Sequence, residues 1–231
     1  MMIELSPSSI NMYLRCQLQF QFRYIEGVLS PPSSAMIVGR AVHKSLEENF
    51  KQKIQTFEDL KTEEVLDIYS DVFEEYAKEV EVWDKDKGEE KDAGAELVKT
   101  YMEQIAKSIN PDTVEEKIEI PISEDLILIG YRDLKTVEGT TIDFKTSNSA
   151  PKEISFEHKL QLQIYNLKED TLNSEIHYLI KGKIAQVKIL KNTNPLNSNL
   201  VINIAKKIKQ QIQAGIFIPT GLSHQWACNY C

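Results

Sequence analysis

The spacing of apolar residues changes at about residue 113, and this change restricts the fold more than any other feature of the chain. Before that point apolar side chains recur every three or four residues, which predicts helices over about 6–22 and 36–53 and more helix within 57–109. After it, apolar and polar residues alternate in short runs separated by helical segments. Strands are expected at 114–120, 126–134, 141–146, 176–180 and 184–190, and helices after Ser155 and at about 197–214. This order predicts an α/β fold, with a mixed sheet flanked by helices.

The composition is that of an ordinary globular protein. With 231 residues, 42% of them hydrophobic and 27% charged, the chain can bury its own core, so we expect one domain over 1–231. No run of about 18 apolar residues occurs, and the first residues do not form a secretory signal, so we expect a cytoplasmic protein without membrane contact. The net charge of −8 argues against general coating of nucleic acid but not against a nucleic-acid enzyme with a local basic track.

Two aspartates and a lysine on the second and third strands are the most informative chemical pattern. Asp143 and Lys145 are two residues apart, so they share one face of their strand. A three-residue hairpin loop centred on Glu138, with Gly139 in the left-handed position, would set Asp133 directly opposite Asp143. Such paired residues have Cβ atoms about 4.5–5.5 Å apart. Two carboxylates that close repel each other unless a cation lies between them, so the spacing predicts a divalent metal site.

The residues alone leave alternatives open. Asp143 and Lys145 also fit an exposed strand with a salt bridge of about 0–1 kcal/mol. The apolar residues around them favour a central strand, where charges are costly without a partner or a metal. His43 lies beside an apolar helical stripe, on one face with Gly39 and Glu47. It is either an ordinary packed histidine or a further ligand, since imidazole binds Mn²⁺-type ions.

Several motifs, in order along the chain, resemble the RecB-like branch of the PD-(D/E)XK nuclease superfamily. That branch includes the nuclease domains of RecB and AddB and the CRISPR-associated adaptation nucleases. The similar segments are 5–10 with Tyr13, Cys16 and Phe20; Gly39 to His43 with Leu46 and Glu47; Gly130 with Asp133; 142–146; Gln161 with Tyr165; and Cys228 with Cys231. The resemblance spans almost the whole chain.

The resemblance implies a fold and a set of roles. The fold would be restriction-endonuclease-like, with a helical insertion at 57–109 and a catalytic core at 113–214. His43, Asp133, Asp143 and the backbone carbonyl of Phe144 would bind Mg²⁺ or Mn²⁺, and Lys145 would be the catalytic lysine. Gln161 and Tyr165, four apart on one helix face, would lie near the substrate.

The three cysteines form a second candidate site. Their odd number and the C-x-x-C at the end of the sequence argue against a secreted disulfide framework. The resemblance implies a [4Fe–4S] cluster held by Cys16, Cys228 and Cys231, but the family expects a fourth cysteine after the point where the sequence stops. The segment 224–231 could therefore be truncated, use a non-cysteine ligand or be vestigial. His224 would complete a Cys₃His set for Zn²⁺, and unligated thiols remain the plain alternative.

The functional expectation is a metal-dependent deoxyribonuclease, either an exonuclease or a nuclease that processes single strands and DNA ends in recombination or repair. The alternatives are a CRISPR-adaptation nuclease that trims DNA ends, a phage recombination exonuclease, a DNA-binding subunit that does not cut, and a structural zinc or cluster protein. The expected partner is single-stranded DNA or duplex ends, and a helicase or an integrase is a further candidate partner. Local basic residues are candidates for holding the DNA: Lys181, Lys183, Lys188, Lys206, Lys207 and Lys209.

Overall fold

A computed structural model of the protein describes residues 2–169 and 173–219. The helices are α1 (Pro7–Arg15), α2 (Gln17–Phe20), α3 (Ser34–Thr56), α4 (Thr62–Tyr76), α5 (Lys87–Gln104), α6 (Phe156–Asn166) and α7 (Ser198–Ala214). The strands are β1 (Ile3–Leu5), β2 (Pro111–Ser123), β3 (Leu126–Thr136), β4 (Thr141–Ser147), β5 (Ser174–Ile180) and β6 (Gln186–Lys191). The strands form one sheet in the order β1-β3-β4-β5-β6, and β2 pairs with β3.

Helices cover both faces of the sheet. On one face, α3, α4 and α5 pack against β3, β4 and β5 around a core that includes Phe50, Tyr101 and Phe144. On the other face, α1, α6 and α7 pack against β1, β2 and β3 around a core that includes Ile10 and Leu128. Because β1–β3 and β4–β5 pair parallel while β2–β3, β3–β4 and β5–β6 pair antiparallel, the sheet is mixed. The predicted α/β fold with a mixed sheet between helices is confirmed.

The sheet opens in the middle of β3. One edge of β3 pairs with β2 along its length. The other edge is shared, since β1 pairs with residues 126–128 and β4 pairs only with Leu134 and Lys135. Within the described residues, no strand therefore pairs with that edge of β3 between 129 and 133. This opening is where the acidic side chains lie.

One local prediction was wrong, and one strand was missed. The helix expected over 6–22 is interrupted at Cys16, whose backbone is extended (φ −157°), before α2 and a π-helical turn (Gln21–Ile25) continue the chain. Strand β1 was not expected, because three residues are too short for a periodic signal. A serine precedes three of the helices and marks where each begins. Ser6, Ser33 and Ser155 accept a hydrogen bond from a backbone N–H in the first turn of α1, α3 and α6, respectively.

The segment 57–109 contains α4 and α5, which pack tightly against α3. A Cβ on Gly94 of α5 would lie 1.9 Å from Tyr69 Oη of α4 and 2.9 Å from Val38 Cγ1 of α3. The two helices thus contribute to the same core as Phe144 on the central strand. Across the described ranges, 2–169 and 173–219, we find no helix with the length and apolar character of a membrane span.

Candidate active site

The hairpin between β3 and β4 sets the register of the acidic residues. Leu134 pairs with Ile142 and Lys135 with Thr141, as a loop centred on Glu138 requires. Gly139 has φ +80°, a conformation that residues with a side chain adopt only under strain. The predicted register is therefore the observed one, and its continuation brings Asp133 opposite Asp143.

Backbone pairing stops at this point, and a side chain replaces it. The backbone N–H of Phe144 donates to Asp133 Oδ2 at 2.7 Å. The N–H and C=O of one strand residue point to the same edge, so the Phe144 carbonyl faces the same opening. The Phe144 ring points away into the core, stacked on Phe50 at 6.2 Å between centroids. The apolar side of β4 thus anchors the strand whose polar side carries Asp143 and Lys145.

Strand β3 changes face at Asp133. Arg132 and Leu134 would share a face in a regular strand, but Arg132 Nη2 donates to Glu169 Oε1 beyond α6 at 2.9 Å, whereas Leu134 packs in the core of α3–α5. Opposite Asp133 on β2, Glu115 has φ +51°. Both strands are therefore irregular at the same level, which turns Asp133 into the opening.

His43 of α3 reaches the opening from the helical side. Its Nδ1 lies 3.4 Å from Asp133 Oδ2, and the ring lies edge-on to Phe144 at 5.9 Å between centroids. Burial disfavours the charged imidazole, but the charge of Asp133 and its hydrogen bond outweigh burial and raise the pKa of His43 above 6.5. Burial acts to raise the pKa of Asp133, yet His43 and Lys145 hold that pKa below 3.8. While the imidazole is protonated, the two side chains form an ion pair at the mouth of the opening.

Asp143 and Lys145 form the second ion pair of the site. Asp143 is 1% exposed, and Lys145 Nζ lies 2.5 Å from its Oδ2. Burial raises the pKa of Asp143 to about 6; Lys145 opposes this rise and the charge of Asp133 adds to it. Burial acts to lower the pKa of Lys145, but Asp143 and Asp133 outweigh it and raise that pKa above 10.5. Lys145 is therefore an ammonium at neutral pH.

Helix α6 holds Asp143 from the opposite side. Gln161 Nε2 donates to Asp143 Oδ1 and to Tyr165 Oη, both at 2.8 Å. The Tyr165 ring lies over Gly130, where a Cβ would come within 2.8 Å of its Cε1. Gly130 of β3 therefore makes room for the residue that orients Gln161, and Gln161 in turn orients Asp143.

The donor set fits a hard divalent cation. Two carboxylates and a backbone carbonyl are ligands that suit Mg²⁺ and Mn²⁺, and the imidazole favours Mn²⁺ of the two. Asp143 Oδ2 is buried and, among the described residues, receives no well-directed hydrogen bond. In the part of the chain that the structure describes, no three His, Cys, Asp or Glu side chains are already arranged around a common point as a metal cage. His43 and Lys145 neutralise the two carboxylates in this state, so the roles of His43, Asp133, Asp143 and Phe144 in metal binding stay predictions.

Two acidic side chains near the site were given no role from the sequence: Glu115, which was missed, and Glu47, which was placed on one face with His43. Glu115 lies opposite Asp133, and burial, with the charges of Asp133 and Glu47, raises the pKa of Glu115 to about 7. Glu47, one helical turn after His43, is held by Lys44 and Lys51. The four-residue spacing of Glu47 from His43 is visible in the sequence, but the position of Glu115 depends on the register between β2 and β3.

A histidine and a tyrosine near Lys145 were also missed. Tyr178 of β5 is the register partner of Lys145, and its Oη lies 2.8 Å from Nδ1 of His158 on α6. Burial and the charge of Lys145 lower the pKa of His158 to about 4, so this imidazole is neutral at pH 7. The spacing of His158 three residues before Gln161 was the available signal.

Only one of the three cysteines lies in the described residues. Cys16 is buried where α1 ends and α2 begins. The chain after α7 returns to this region, since the Ile218 N–H donates to Gln17 Oε1 at 3.0 Å and Phe217 stacks on Phe20 at 6.3 Å. His224, Cys228 and Cys231 lie outside the described residues, so the iron–sulfur or zinc site stays a prediction.

Two of the predicted DNA-contacting lysines are already in ion pairs. Lys181 Nζ lies 2.8 Å from Glu90 Oε2 of α5, and Lys209 pairs with Asp125 in the turn before β3. Asp125 lies at the opposite end of β3 from Asp133. Lys209 therefore sits far along the sheet from the candidate site, and a role of the six lysines in DNA binding stays a prediction.

Comparison with known proteins agrees with the geometry. The family model described as "PD-(D/E)XK nuclease superfamily" matches residues 4–231. A crystal structure described as that of a "Putative exonuclease" from Eubacterium rectale superposes with a TM-score of 0.66 at 10% identity, covering 94% of this chain and 83% of that one; this likeness concerns the fold. The crystal structure of SSO0001 covers 93% of this chain and 90% of its own at 17% identity, with a TM-score of 0.41, too low to support an argument. No curated protein sequence matches the chain.

Proposed function

Since the chain belongs to the PD-(D/E)XK nuclease superfamily, we propose that it is a deoxyribonuclease of the RecB-like type that uses Mg²⁺ or Mn²⁺ to hydrolyse phosphodiester bonds. The observation that carries the proposal is the opening beside β3, where Asp133, Asp143, Lys145 and His43 meet. The role is that of an exonuclease or end-processing nuclease in recombination or repair.

The cation would be held by Asp133, Asp143, His43 and the Phe144 carbonyl. When bound, a divalent cation lowers the pKa of a coordinated water and withdraws charge from a phosphoryl oxygen. The hydrogen bond from Phe144 N–H to Asp133 and the one from Gln161 to Asp143 orient the two carboxylates. These two hydrogen bonds would keep the carboxylates in the same directions if a cation were bound beside them.

Lys145 acts as a charged hydrogen-bond donor and not as a base. Because the carboxylates raise its pKa, Lys145 keeps its proton at neutral pH. Its ammonium holds the attacking water in line with the phosphorus and stabilises the charge that develops on the phosphoryl oxygens. Gln161 and Tyr165 keep Asp143 in place beside it and line the substrate side of the opening.

The test is cleavage of end-labelled single-stranded and duplex DNA with Mn²⁺. Asp143→Ala and Lys145→Ala are expected to abolish cleavage, whereas Asp125→Asn, a remote carboxylate paired with Lys209, is expected to cut like the wild type. Resistance of circular single-stranded DNA would support exonuclease action, and its cleavage would support an endonuclease. Undiminished cleavage by both active-site variants would refute the proposal.

A further inference from the structure

A groove opens next to His43, on the side away from α6. It has a volume of about 290 Å³ and lies between α3, the end of α4 and β2. Its lining residues include Arg40, His43, Lys44, Glu47, Tyr76 and Glu115. The groove is continuous with the candidate active site because His43 belongs to both.

Arg40 lines this groove and is held in position by Tyr76 and Glu79. Its guanidinium lies 4.0 Å above the Tyr76 ring, and Nη1 and Nη2 donate to the two carboxylate oxygens of Glu79 at 2.7 and 3.1 Å. The pair is half-exposed, with 42% of the Arg40 side chain and 46% of the Glu79 side chain accessible. A guanidinium binds a phosphate group with the same two-pronged geometry as a carboxylate. Since an exposed ion pair is weak, a phosphate can replace Glu79 at small cost.

The position of Arg40 matches a strand that passes through the site. Arg40 and His43 are three apart on α3, so their side chains leave the same face with Cβ atoms about 5–6 Å apart. Glu47 and Glu115 also line the groove, and Lys44 and Lys51 pair with Glu47. Of the two basic side chains among the lining residues, Arg40 and Lys44, Lys44 is held between Glu47 and Glu48. A DNA strand with one phosphate at His43 brings the neighbouring phosphate to Arg40.

We propose that Arg40 clamps the phosphate next to the scissile one, and that Glu79 occupies the clamp in the protein without DNA. This inference rests on the proposed nuclease function and adds the side from which the strand enters. The Tyr76 ring holds the guanidinium in place from one side, and Nη1 and Nη2, which donate to Glu79, are the groups that would donate to the phosphate. Glu79 is a competitor of the phosphate and therefore weakens DNA binding.

The clamp predicts opposite effects of its two partners. Binding of a fluorescein-labelled single-stranded oligodeoxynucleotide is measured by anisotropy in EDTA, where no cleavage occurs. Arg40→Ala is expected to weaken binding about tenfold and to reduce the slope of log K against log salt by about 1. Glu79→Gln is expected to tighten binding about two- to fivefold, because it removes a competing charge. In Arg40→Ala/Glu79→Gln, the gain from Glu79→Gln should disappear.

A second exposed ion pair, between Glu74 of α4 and Lys87 of α5, supplies the control. Lys87 and Glu74 are 45% and 48% exposed, and Lys91 also pairs with Glu74. Glu74 lies two residues, more than half a helical turn, before Tyr76. Lys87→Ala and Glu74→Gln should leave binding within twofold of the wild type, apart from the small effect of net charge. If Arg40→Ala matches Lys87→Ala, or if Glu79→Gln weakens binding as Arg40→Ala does, the clamp is refuted.

Failure of the clamp and failure of the nuclease are distinguishable. Wild-type protein that cuts DNA with Mn²⁺ while Arg40→Ala binds and cuts normally would refute the clamp alone. Loss of binding in Arg40→Ala, with an unchanged melting temperature, supports the clamp. Wild-type protein that neither binds nor cuts the oligonucleotide would overturn both.

Discussion

Gly130 carries a testable link between packing in the sheet and chemistry at the site. A Cβ at this position would lie 2.8 Å from Tyr165 Cε1, whereas carbon atoms in contact are about 3.5–4.0 Å apart. The Tyr165 ring must then move by almost 1 Å. The Tyr165 hydroxyl would move with the ring. Because Gln161 Nε2 donates to this hydroxyl and to Asp143, the Gln161 amide would move as well. Gly130→Ala is therefore expected to act on an aspartate that it does not touch.

The expected size of the effect follows from these contacts. Overpacking of this kind destabilises a protein by about 1–3 kcal/mol, and a displacement of about 1 Å at a catalytic group lowers turnover about 100-fold. The assay is the initial rate of DNA cleavage at saturating Mn²⁺, well below the melting temperature, with urea unfolding of the same samples. Tyr165→Phe alone should cost activity, but in the Gly130→Ala background it should add little, because the hydroxyl contact is already broken. If Gly130→Ala cleaves DNA as fast as the wild type and unfolds at the same urea concentration, the reasoning is refuted.

Three further results are expected. The pKa of His43 is raised, so its ion pair with Asp133 stabilises the metal-free protein below about pH 6.5, and that stability is lost as pH rises through the raised pKa. The difference in unfolding free energy between the wild type and His43→Ala should therefore shrink from pH 6 to pH 8. Growth of that difference would contradict the assignment. Over the same range Mn²⁺-dependent cleavage should rise, because protons leave His43 and Asp143, whose pKa is about 6; a pH-independent rate would contradict it. Gly94→Ala, whose Cβ would lie 1.9 Å from Tyr69 Oη, should destabilise the protein to urea by at least about 1–3 kcal/mol, and Tyr69→Phe in the same chain should restore part of the loss.

Much of the candidate site follows from short-range sequence rules. Gly139 and the loop length fix the register of β3 and β4, so Asp133 and Asp143 can be set opposite each other from their numbers alone. Alternation along β4 places Phe144 in the core and Asp143 on the other face. Helical spacing places Gln161 and Tyr165 together. Each of these inferences spans a single turn or a single element.

The features that were missed depend on contacts between distant segments. A bulge between Pro121 and Ser123 shifts the register of β2 by one residue, so counting from the turn before β3 does not place Glu115 opposite Asp133. The pairing of Arg40 with Glu79 depends on how α3 packs against α4. The break at Cys16 leaves no mark in the apolar pattern, because the residues on both sides of it remain helical.

The central claim is that Asp143, Asp133 and His43 together hold a divalent cation. The most direct measurement is a titration of the protein with Mn²⁺ followed by electron paramagnetic resonance of the free ion, without DNA. We expect the wild type to have one or two Mn²⁺ sites. Their affinity for Mn²⁺ should fall about tenfold or more in Asp143→Asn and in His43→Ala, and it should be unchanged in Asp125→Asn. Equal Mn²⁺ affinity in the wild type and in both active-site variants would contradict it.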